Sequence, residues 1–302
     1  MGLSFLSDWL TITFMNSIGD VTSALIDLAL REDVGEDLKT GDVTSAYFVP
    51  EEKMSAAYIH AKADGVLAGM EVSAEVFRRV DAGIQIKQLK KDGERIAPGD
   101  RVLEINGSAR SILTAERTAL NFLQRLSGIA SQTRAYVALT QGTKAKVLDT
   151  RKTTPGWRAL EKAAVVAGGG SNHRMGLYDR AMVKDNHLVA ENKLAALQDA
   201  IKRLHEDRPA VEVELEADTL EQVQSFLGLS GVDYLLLDNM DNETMERAVV
   251  MRNEAGSKVL LEASGGVNLS TIAAIARTGV DFISVGALTH SAVALDLSLE
   301  FE

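Results

Sequence analysis

Residues 210–239 read AVEVELEADTLEQVQSFLGLSGVDYLLLDN, and this stretch decides the fold. Glutamate alternates with apolar residues over AVEVELEA, a period of two that predicts a β-strand. VDYLLLDN is a second apolar strand, and TLEQVQSFLG between the two strands has the pattern of a helix. A strand, a helix and a further strand in this order predict two parallel strands joined by a crossover helix.

The same alternation of strand and helix extends through the second half of the chain. Helices separate six candidate strands, which are KAKVLDT, RAMVKD, AVEVELEA, VDYLLLDN, KVLLEAS and VDFISVGA. This order predicts an α/β domain in which helices cover a parallel sheet. An open doubly wound sheet and a barrel both fit, although no Gly-rich dinucleotide fingerprint follows the first strand.

The first half of the chain is organised differently. Residues 20–113 begin with a helix, SALIDLALRED, and continue with short strands separated by turns, which predicts an α+β domain. Residues 114–140 form one long helical stretch, in which Gly128 is either a break or a point of close packing. We interpret residues 1–19, which lack the basic start of a signal peptide, as an N-terminal extension.

The bulk composition excludes several classes of protein. Of the 302 residues, 46% are hydrophobic and 25% are charged, as in an ordinary soluble globular protein. Because the chain has no cysteine, disulfides and thiolate sites are excluded, and we expect a cytoplasmic enzyme. No apolar run approaches the roughly 20 residues of a membrane helix, so we expect no membrane association. The formal charge of −11 argues against nucleic-acid binding.

Positive charge is concentrated in one part of this acidic chain. Residues 144–184 carry nine Lys or Arg and three Asp or Glu. They include DTRKTTPGWR at 149–158, a loop-like segment that contains Thr, Pro and Gly. A charge run is usually a solvated helix face, but this run does not lie along one helix. The sequence therefore favours a localised anion-binding site.

Polar residues or glycines follow every candidate strand. They are Asp149-Thr150-Arg151-Lys152, Lys184-Asp185-Asn186-His187, Glu212 with Glu214 and Glu216, Asp238-Asn239, Glu262-Ala263-Ser264-Gly265-Gly266, and Gly286 with Thr289-His290 beyond it. In parallel α/β folds the carboxyl ends of the strands form the functional site. Polar ends on six successive strands therefore predict a single site at that edge of the sheet.

The strand AVEVELEA places Glu212, Glu214 and Glu216 on one face and apolar residues on the other. Three carboxylates that point into a barrel need cationic neighbours, a metal or ligand hydroxyls, because burying them unpaired is costly. The alternative is an edge strand with a solvated face.

Glycine-rich segments indicate close contact with an anion. In GGGSNHRMGLYDR, at 168–180, three glycines precede His173 and Arg174, so backbone N–H groups can approach a ligand. A flexible loop is the alternative explanation. Ser264-Gly265-Gly266 and Gly286-Ala287 are similar to the phosphate-binding loops of barrels. The five histidines form no helical ligand pair, so Mg²⁺ held by carboxylates fits better than zinc.

Several of these motifs together resemble the quinolinate phosphoribosyltransferases, also called carboxylating nicotinate-nucleotide pyrophosphorylases. The resemblance covers about residues 20–299 and is most specific over 149–187. Its motifs are TAERTALNFLQRLSGIAS, DTRKTTPGWRALEKAAVVAGGGSNHRMGLYDRAMVKDNH, VEVELEADTLEQV, LLLDNM, LEASGG and GVDFISVGALTHS. In the N-terminal half, ALREDVGEDLKTGDVTS is similar to a family element and carries a small insertion.

The resemblance implies an incomplete six-stranded parallel α/β barrel (TIM-like) over 126–287. It also implies an N-terminal α+β sandwich over 20–125, on which residues 288–302 are expected to pack. The implied reaction converts quinolinate and phosphoribosyl pyrophosphate, with Mg²⁺, into nicotinate mononucleotide, pyrophosphate and CO₂ in NAD biosynthesis. The implied assembly is a homodimer, or a hexamer built from dimers, in which Arg117 of one subunit completes the site of the other.

The resemblance further assigns roles to single residues. Lys152 would face phosphoribosyl pyrophosphate, while Glu216 and Asp238 would hold ribose hydroxyls and Mg²⁺. Glu216 is preferred to Glu214 because of its spacing to TLEQV. The residues expected to bind the substrates are Arg117, Thr150, Arg151, His173, Arg174, Lys184, Ser264, Gly265, Gly266, Gly286, Ala287 and His290.

Two other functions stay open at this stage. A related phosphoribosyltransferase could act on another ring acid, as in the homologues associated with molybdate transport, although the set of arginines favours quinolinate. A noncatalytic metabolite-binding barrel is the second, and the polar residues at all six strand ends argue against it.

Overall fold

A computed structural model describes residues 5–38, 40–184 and 193–302, and it divides the chain into two compact units. The first unit contains the described residues up to Gln132 together with Thr153–Gly168 and Ala292–Glu302. The second contains the described residues of Thr133–Lys152 and Gly169–Ser291. Each unit combines segments that are distant in sequence, and the contiguous domain boundaries expected from the sequence stay predictions.

The described part of the chain contains helices and strands in mixed order. The helices are α1 (Phe5–Val34), α2 (Val43–Phe48), α3 (Met70–Val80), α4 (Ala109–Leu139), α5 (Arg158–Ala167), α6 (Lys193–Asp207), α7 (Leu220–Leu227), α8 (Asn242–Glu254), α9 (Ile272–Arg277) and α10 (Ala287–His290). The strands are β1 (Met54–Ala61), β2 (Gly65–Val66), β3 (Gln85–Gln88), β4 (Arg95–Ile96), β5 (Arg101–Ser108), β6 (Lys146–Leu148), β7 (Arg180–Val183), β8 (Glu212–Ala217), β9 (Tyr234–Asp238), β10 (Leu260–Ser264), β11 (Phe282–Ser284) and β12 (Leu297–Phe301). None of the described helices is long and apolar enough to cross a membrane.

The first unit is built around an antiparallel sheet with the strand order β12-β1-β5-β3. Ala57, Ile59 and Ala61 alternate along β1 and are buried, as expected for a strand with one face on a core. The C-terminal strand β12 pairs with β1, so the end of the chain completes this sheet. The predicted α+β character of the N-terminal half is confirmed. Residues 1–4 of the predicted extension lie outside the described residues, and the chain is helical from Phe5.

The second unit is built around a parallel sheet with the strand order β6-β11-β10-β9-β8-β7. All six predicted strands are present, so the predicted α/β fold is confirmed. On β8, Val213, Leu215 and Ala217 are buried, which explains why apolar residues occupy alternate positions. The parallel order brings the carboxyl ends of the strands to the same edge of the sheet.

A helix cap follows each of two predicted site residues, Glu216 and Asp238, a few positions later in the sequence. Thr219 and Gln222 form a capping box at the start of α7, soon after β8 ends. Asp241 accepts the backbone N–H of Thr244 at the start of α8, soon after β9 ends. Each cap stabilises its helix by about 1 kcal/mol. The helices that follow β8 and β9 therefore start at fixed positions.

Gly128 is a point of close packing, because α4 continues through it without a break. A Cβ at this position would lie 2.1 Å from the Val293 carbonyl oxygen. The Val293 backbone cannot easily retreat, since hydrogen bonds hold its neighbours on both sides. Arg125 donates to the Ala292 carbonyl at 2.8 Å, and Leu295 donates its N–H to a carbonyl of the same helix at 2.9 Å.

We expect Gly128→Ala to destabilise the protein by about 1–3 kcal/mol, although alanine is the better helix former, because the methyl group overpacks the contact. Gly19→Ala is the matched control, since Gly19 also lies in a helix and has no described atom within 4 Å of its added Cβ. That change should stabilise by up to about 1 kcal/mol. Denaturant unfolding of both variants checks the contrast, and equal stability changes would contradict the packing role of Gly128.

Candidate active site

The carboxyl ends of the strands β6–β11 carry nearly all the residues that the sequence predicts for the site. These strands belong to one parallel sheet, so their carboxyl ends lie at one edge. The residues at or just beyond this edge are Thr150, Arg151, Lys152, Lys184, Glu216, Asp238, Ser264, Gly265, Gly266, Gly286, Ala287 and His290. Asp185, Asn186 and His187, which were expected at the end of the second barrel strand, lie outside the described residues.

The first glutamate of β8, Glu212, is held at the amino end of the strand. Its carboxylate accepts a hydrogen bond from Arg180 Nη2 at 2.8 Å and another from the Tyr234 hydroxyl at 3.1 Å. The Arg180 guanidinium lies over the Tyr234 ring, 3.9 Å from the ring centroid. Because β8 lies between β7 and β9, the alternative of a solvated edge strand is wrong.

The second glutamate, Glu214, lies further along β8 and is fully buried. Its Oε2 lies 3.1 Å from His173 Nε2 and 3.6 Å from Arg180 Nη1. Burial alone would raise the pKa of Glu214, but the neighbouring His173 N–H and the charge of Arg180 lower that pKa below its ordinary value. Glu214 is therefore an ionised carboxylate inside the sheet.

A second buried carboxyl group, that of Glu262 on β10, lies close to Glu214. Its Oε1 lies 3.4 Å from His173 Nε2 and accepts a hydrogen bond from the Ser284 hydroxyl. Burial and the negative charge of Glu214 raise the pKa of Glu262 well above its ordinary value, although the Ser284 hydrogen bond opposes this. The pKa of one carboxyl group of the pair is thus lowered and that of the other is raised.

The third glutamate, Glu216, lies where β8 reaches the functional edge. Its carboxylate contacts the Lys184 ammonium group. Glu216, Asp218 and Asp238 each offer an oxygen atom within 4.8 Å of the others. Carboxylate oxygens are the protein ligands that Mg²⁺ prefers, so these three residues could hold that ion. The sequence predicted Glu216 and Asp238 for this role but not Asp218.

Arg151 and Arg174 bring positive charge to the same edge. Burial and the positive charge of Arg151 lower the pKa of Arg174, because both disfavour a charged guanidinium. Arg174 Nη1 donates to the backbone carbonyl of Arg180 at 2.9 Å, which fixes one side of the group. A carboxylate bound between the arginines would offset their repulsion, and planar guanidinium groups bind carboxylates through paired hydrogen bonds. The pair therefore suits an anionic ligand.

Arg174 follows a segment that is attached to β6. Leu148 forms a parallel bridge with Ser171, and Ser171 donates its N–H to the Val147 carbonyl at 2.8 Å. The fully buried Asp149 accepts the His173 backbone N–H at 2.9 Å. The predicted alternative of a flexible glycine-rich loop therefore does not describe residues 171–173, whose backbone is hydrogen-bonded to the sheet.

Two loops on the carboxyl side are locked together by Asn239 and Gly265. Gly265 has φ of 97°, and a Cβ there would lie 2.1 Å from Asn239 Oδ1. Asn239 donates its backbone N–H to the Ser264 carbonyl at 2.9 Å and its Nδ2 to Asp238 Oδ2 at 2.7 Å. Glycine is therefore needed at 265 for both its backbone conformation and its lack of a side chain.

The loop that follows β11 lies beside the loop that follows β6. Thr289 Oγ1 donates to the Lys152 carbonyl at 2.8 Å. A Cβ at Gly286 would lie 3.1 Å from both Lys152 Cδ and His290 Nε2. The structure thus brings together Lys152, which the resemblance assigned to phosphoribosyl pyrophosphate, and Gly286 and His290, which it assigned to substrate binding.

One predicted site residue belongs to the other unit. Arg117 is exposed on α4 in the first unit, whereas the other predicted residues belong to the second. Asp149 and Glu262 were among the strand-end residues that the sequence indicated, although no role was assigned to either of them. Asp218, which lies one residue beyond β8, was not predicted.

The chain matches two family models that together cover most of its length. Residues 42–127 match the N-terminal domain of quinolinate phosphoribosyl transferase, and residues 129–300 match the C-terminal domain. Nicotinate-nucleotide pyrophosphorylase [carboxylating] of Mycobacterium leprae is 41% identical over 274 residues, which are 90% of this chain and 95% of the relative.

Two solved structures are similar to this chain over most of its length. The nicotinate-nucleotide pyrophosphorylase of Francisella tularensis has a TM-score of 0.85 and 38% identity, over 94% of this chain and 96% of that one. The nicotinate-nucleotide pyrophosphorylase of Ehrlichia chaffeensis has a TM-score of 0.82 and 36% identity, over 93% of this chain and 98% of that one. With its two matched domains, its α/β sheet and its relatives of about 40% identity, the chain belongs to the quinolinate phosphoribosyl transferase family.

Proposed function

We propose that this chain transfers the phosphoribosyl group of phosphoribosyl pyrophosphate to quinolinate, with loss of CO₂, to give nicotinate mononucleotide and pyrophosphate. The observation that carries this proposal is the division of charge at one edge of the sheet. Arg151 and Arg174 supply positive charge there, and Glu216 and Asp238 supply carboxylates. Such an edge suits a ring with two carboxylates beside a sugar whose hydroxyls need acceptors. The names of the relatives support the same reaction.

In this proposal Arg151 and Arg174 bind the carboxylates of quinolinate and orient its ring nitrogen toward C1 of the ribose. Lys152 and the loop at Gly286 and His290 bind phosphate groups. The hydrogen bond from Thr289 to the Lys152 carbonyl holds these two loops together without a ligand, and Lys152 and His290 both lie close to Gly286. Preformed contacts of this kind lower the barrier because less order has to be gained during the reaction.

Mg²⁺ is part of the proposal, because three carboxylates at the edge match its preference for oxygen ligands. Glu216 and Asp238 would hold it, directly or through water, and Asp218 is a further candidate. When bound, the ion would neutralise negative charge on pyrophosphate as it leaves.

The chemical steps require no nucleophile from the protein. The lone pair of the quinolinate nitrogen forms the bond to C1 of the ribose as the bond from C1 to pyrophosphate breaks. Positive charge that develops on the ribose is stabilised by the nearby Glu216 and Asp238 carboxylates. The ring nitrogen is then cationic, so the ring can accept the electrons left when CO₂ departs from the adjacent carbon. A proton from water replaces the lost carboxyl group, and no further cofactor is needed.

We further propose a homodimer in which the exposed Arg117 of one subunit completes the site of the other, in the cytoplasm. If so, Arg117→Ala and Lys152→Ala proteins should each be inactive but should regain activity when mixed. Random exchange between two such dimers gives about half heterodimers, each with one intact site, so about a quarter of the parent activity is expected. Lack of recovery after subunit exchange has been verified by mass spectrometry would contradict the shared site.

The proposed reaction is tested by incubating the purified chain with quinolinate, phosphoribosyl pyrophosphate and Mg²⁺ and separating the nucleotides by chromatography. Nicotinate mononucleotide should form only when all three are present. If another ring acid is converted while quinolinate is not, the chain is a related phosphoribosyltransferase. If no acid is converted but quinolinate binds, it is a noncatalytic binding protein.

A further inference from the structure

The buried His173 ring is held on both nitrogen atoms by groups of the second unit. Its Nδ1 accepts the backbone N–H of Arg174 at 2.6 Å. Its Nε2 lies 3.1 Å from the Glu214 carboxylate and 3.4 Å from Glu262 Oε1. Because an amide N–H can only donate, Nδ1 carries no proton, and the ring proton lies on Nε2, which faces the Glu214 carboxylate at 3.1 Å. The sequence grouped His173 with the residues that contact substrate, but these contacts direct both nitrogens toward protein atoms.

The carboxylate beneath His173 is itself held in place. Glu214 is fully buried, and Arg180 lies 3.6 Å away on the side toward the amino end of the sheet. The Arg180 guanidinium is fixed in turn by Glu212 and by the Tyr234 ring. The arginine compensates the charge of this buried carboxylate, and the imidazole on the other side restricts its position.

The same chain of contacts ends at Arg174. Its backbone N–H is bound by His173 Nδ1, and its guanidinium donates to the Arg180 carbonyl at 2.9 Å. Both ends of Arg174 therefore depend on residues in contact with Glu214. A shift of the His173 ring would release the Arg174 backbone and move the guanidinium.

We propose that Glu214 is a positioning residue that fixes the Nε2–H tautomer of His173 and thereby aims Arg174 at a carboxylate of the bound ring. This inference rests on the proposed function for the identity of the ring. It gives each of the three glutamates of β8 a different role. Glu212 anchors Arg180, Glu214 orients His173, and Glu216 faces the sugar and Mg²⁺.

The variant Glu214→Gln tests the proposal, since the amide keeps the shape but presents an N–H or a neutral oxygen to His173. We expect the KM for quinolinate to rise about tenfold, because the negative charge that faces the His173 N–H is lost, and the KM for phosphoribosyl pyrophosphate to change less than about twofold. A structural weakening would affect both substrates. An equal change in the two KM values, or no change for quinolinate, would therefore overturn the proposal.

Glu262→Gln is the matched variant. Glu262 is also buried and near His173, but its Oε1 accepts a hydrogen bond from the Ser284 hydroxyl, which the amide oxygen of glutamine can accept in the same way. We expect its quinolinate KM to change much less than that of Glu214→Gln. If Glu262→Gln raises the KM for quinolinate more than Glu214→Gln does, the role assigned to Glu214 is wrong.

Ring-nitrogen NMR of the unaltered protein, labelled with ¹⁵N-histidine, decides the tautomer without any assay and without reliance on a variant that folds poorly. The His173 signals, assigned by their loss in His173→Gln, should show a proton on Nε2 and none on Nδ1. A proton on Nδ1 overturns the proposal. If the expected tautomer is found but no nicotinate mononucleotide forms, the proposed function fails while the link between Glu214 and His173 stands.

Discussion

Replacing Arg174 by alanine is expected to lower kcat/KM for quinolinate by about 10²–10³-fold, mostly through a higher KM. The guanidinium has one side fixed by the Arg180 carbonyl and lies close enough to Arg151 that its pKa is lowered. A ligand carboxylate that binds both guanidinium groups relieves their repulsion. Removal of one of the two groups therefore costs more binding free energy than removal of one partner of an exposed ion pair.

Arg174→Lys separates charge from shape. Lysine keeps the positive charge but cannot form two parallel hydrogen bonds, so an intermediate loss is expected. Arg208→Ala is the control, because Arg208 is exposed and precedes β8 at its amino end, opposite the functional edge. Steady-state kinetics with quinolinate as the varied substrate measures the three variants. An Arg174→Ala protein with unchanged quinolinate KM would contradict the role given to the arginine pair.

Glu216→Gln and Asp238→Asn are each expected to lower kcat by about 10²–10³-fold. Both carboxylates would oppose the positive charge that develops on the ribose, and both belong to the oxygen cluster proposed for Mg²⁺. Because each change removes one negative ligand, the Mg²⁺ concentration for half-maximal activity should also rise.

Glu212→Gln is the matched control for this second prediction. Glu212 lies on the same strand and the same face as Glu216, but its partners are Arg180 and Tyr234 at the amino end. At saturating quinolinate we expect kcat within about threefold of the parent for Glu212→Gln, because its link to Arg174 through Arg180 affects the binding of quinolinate and not the charge on the ribose. Magnesium titrations at saturating substrates compare the variants. Equal effects at positions 212 and 216 would argue against a site at the carboxyl edge.

The fold could be predicted from the sequence because the strands repeat a simple pattern. Alternation along β8 placed its three glutamates on one face and its apolar residues on the other, and the structure has this arrangement. The repeated change from strand to helix fixed the parallel order. Gly128 was ambiguous, because the residue that blocks a side chain there, Val293, is 165 positions away in sequence.

Most residues of the site could be predicted from the sequence, but their depth and their contacts with one another could not. Alternation says which face Glu212, Glu214 and Glu216 share, but not how deep each one lies. Their depth depends on register with β7, where Arg180 is opposite Glu212 and Met182 is opposite Glu214. Their partners come from four separate places, which are β7, β9, the segment attached to β6, and the residue after β7. No local pattern contains that information, and this is why the contacts of Glu214 and Glu262 follow only from the structure.

The central claim is that phosphoribosyl transfer and loss of CO₂ occur on the same quinolinate molecule. It is tested most directly with quinolinate labelled with ¹⁴C in the 2-carboxyl group, by measuring released ¹⁴CO₂, pyrophosphate and nicotinate mononucleotide in one reaction. The account predicts equal amounts of the three products, formed only with phosphoribosyl pyrophosphate present. Pyrophosphate release without ¹⁴CO₂, or no release of either from quinolinate, would contradict it.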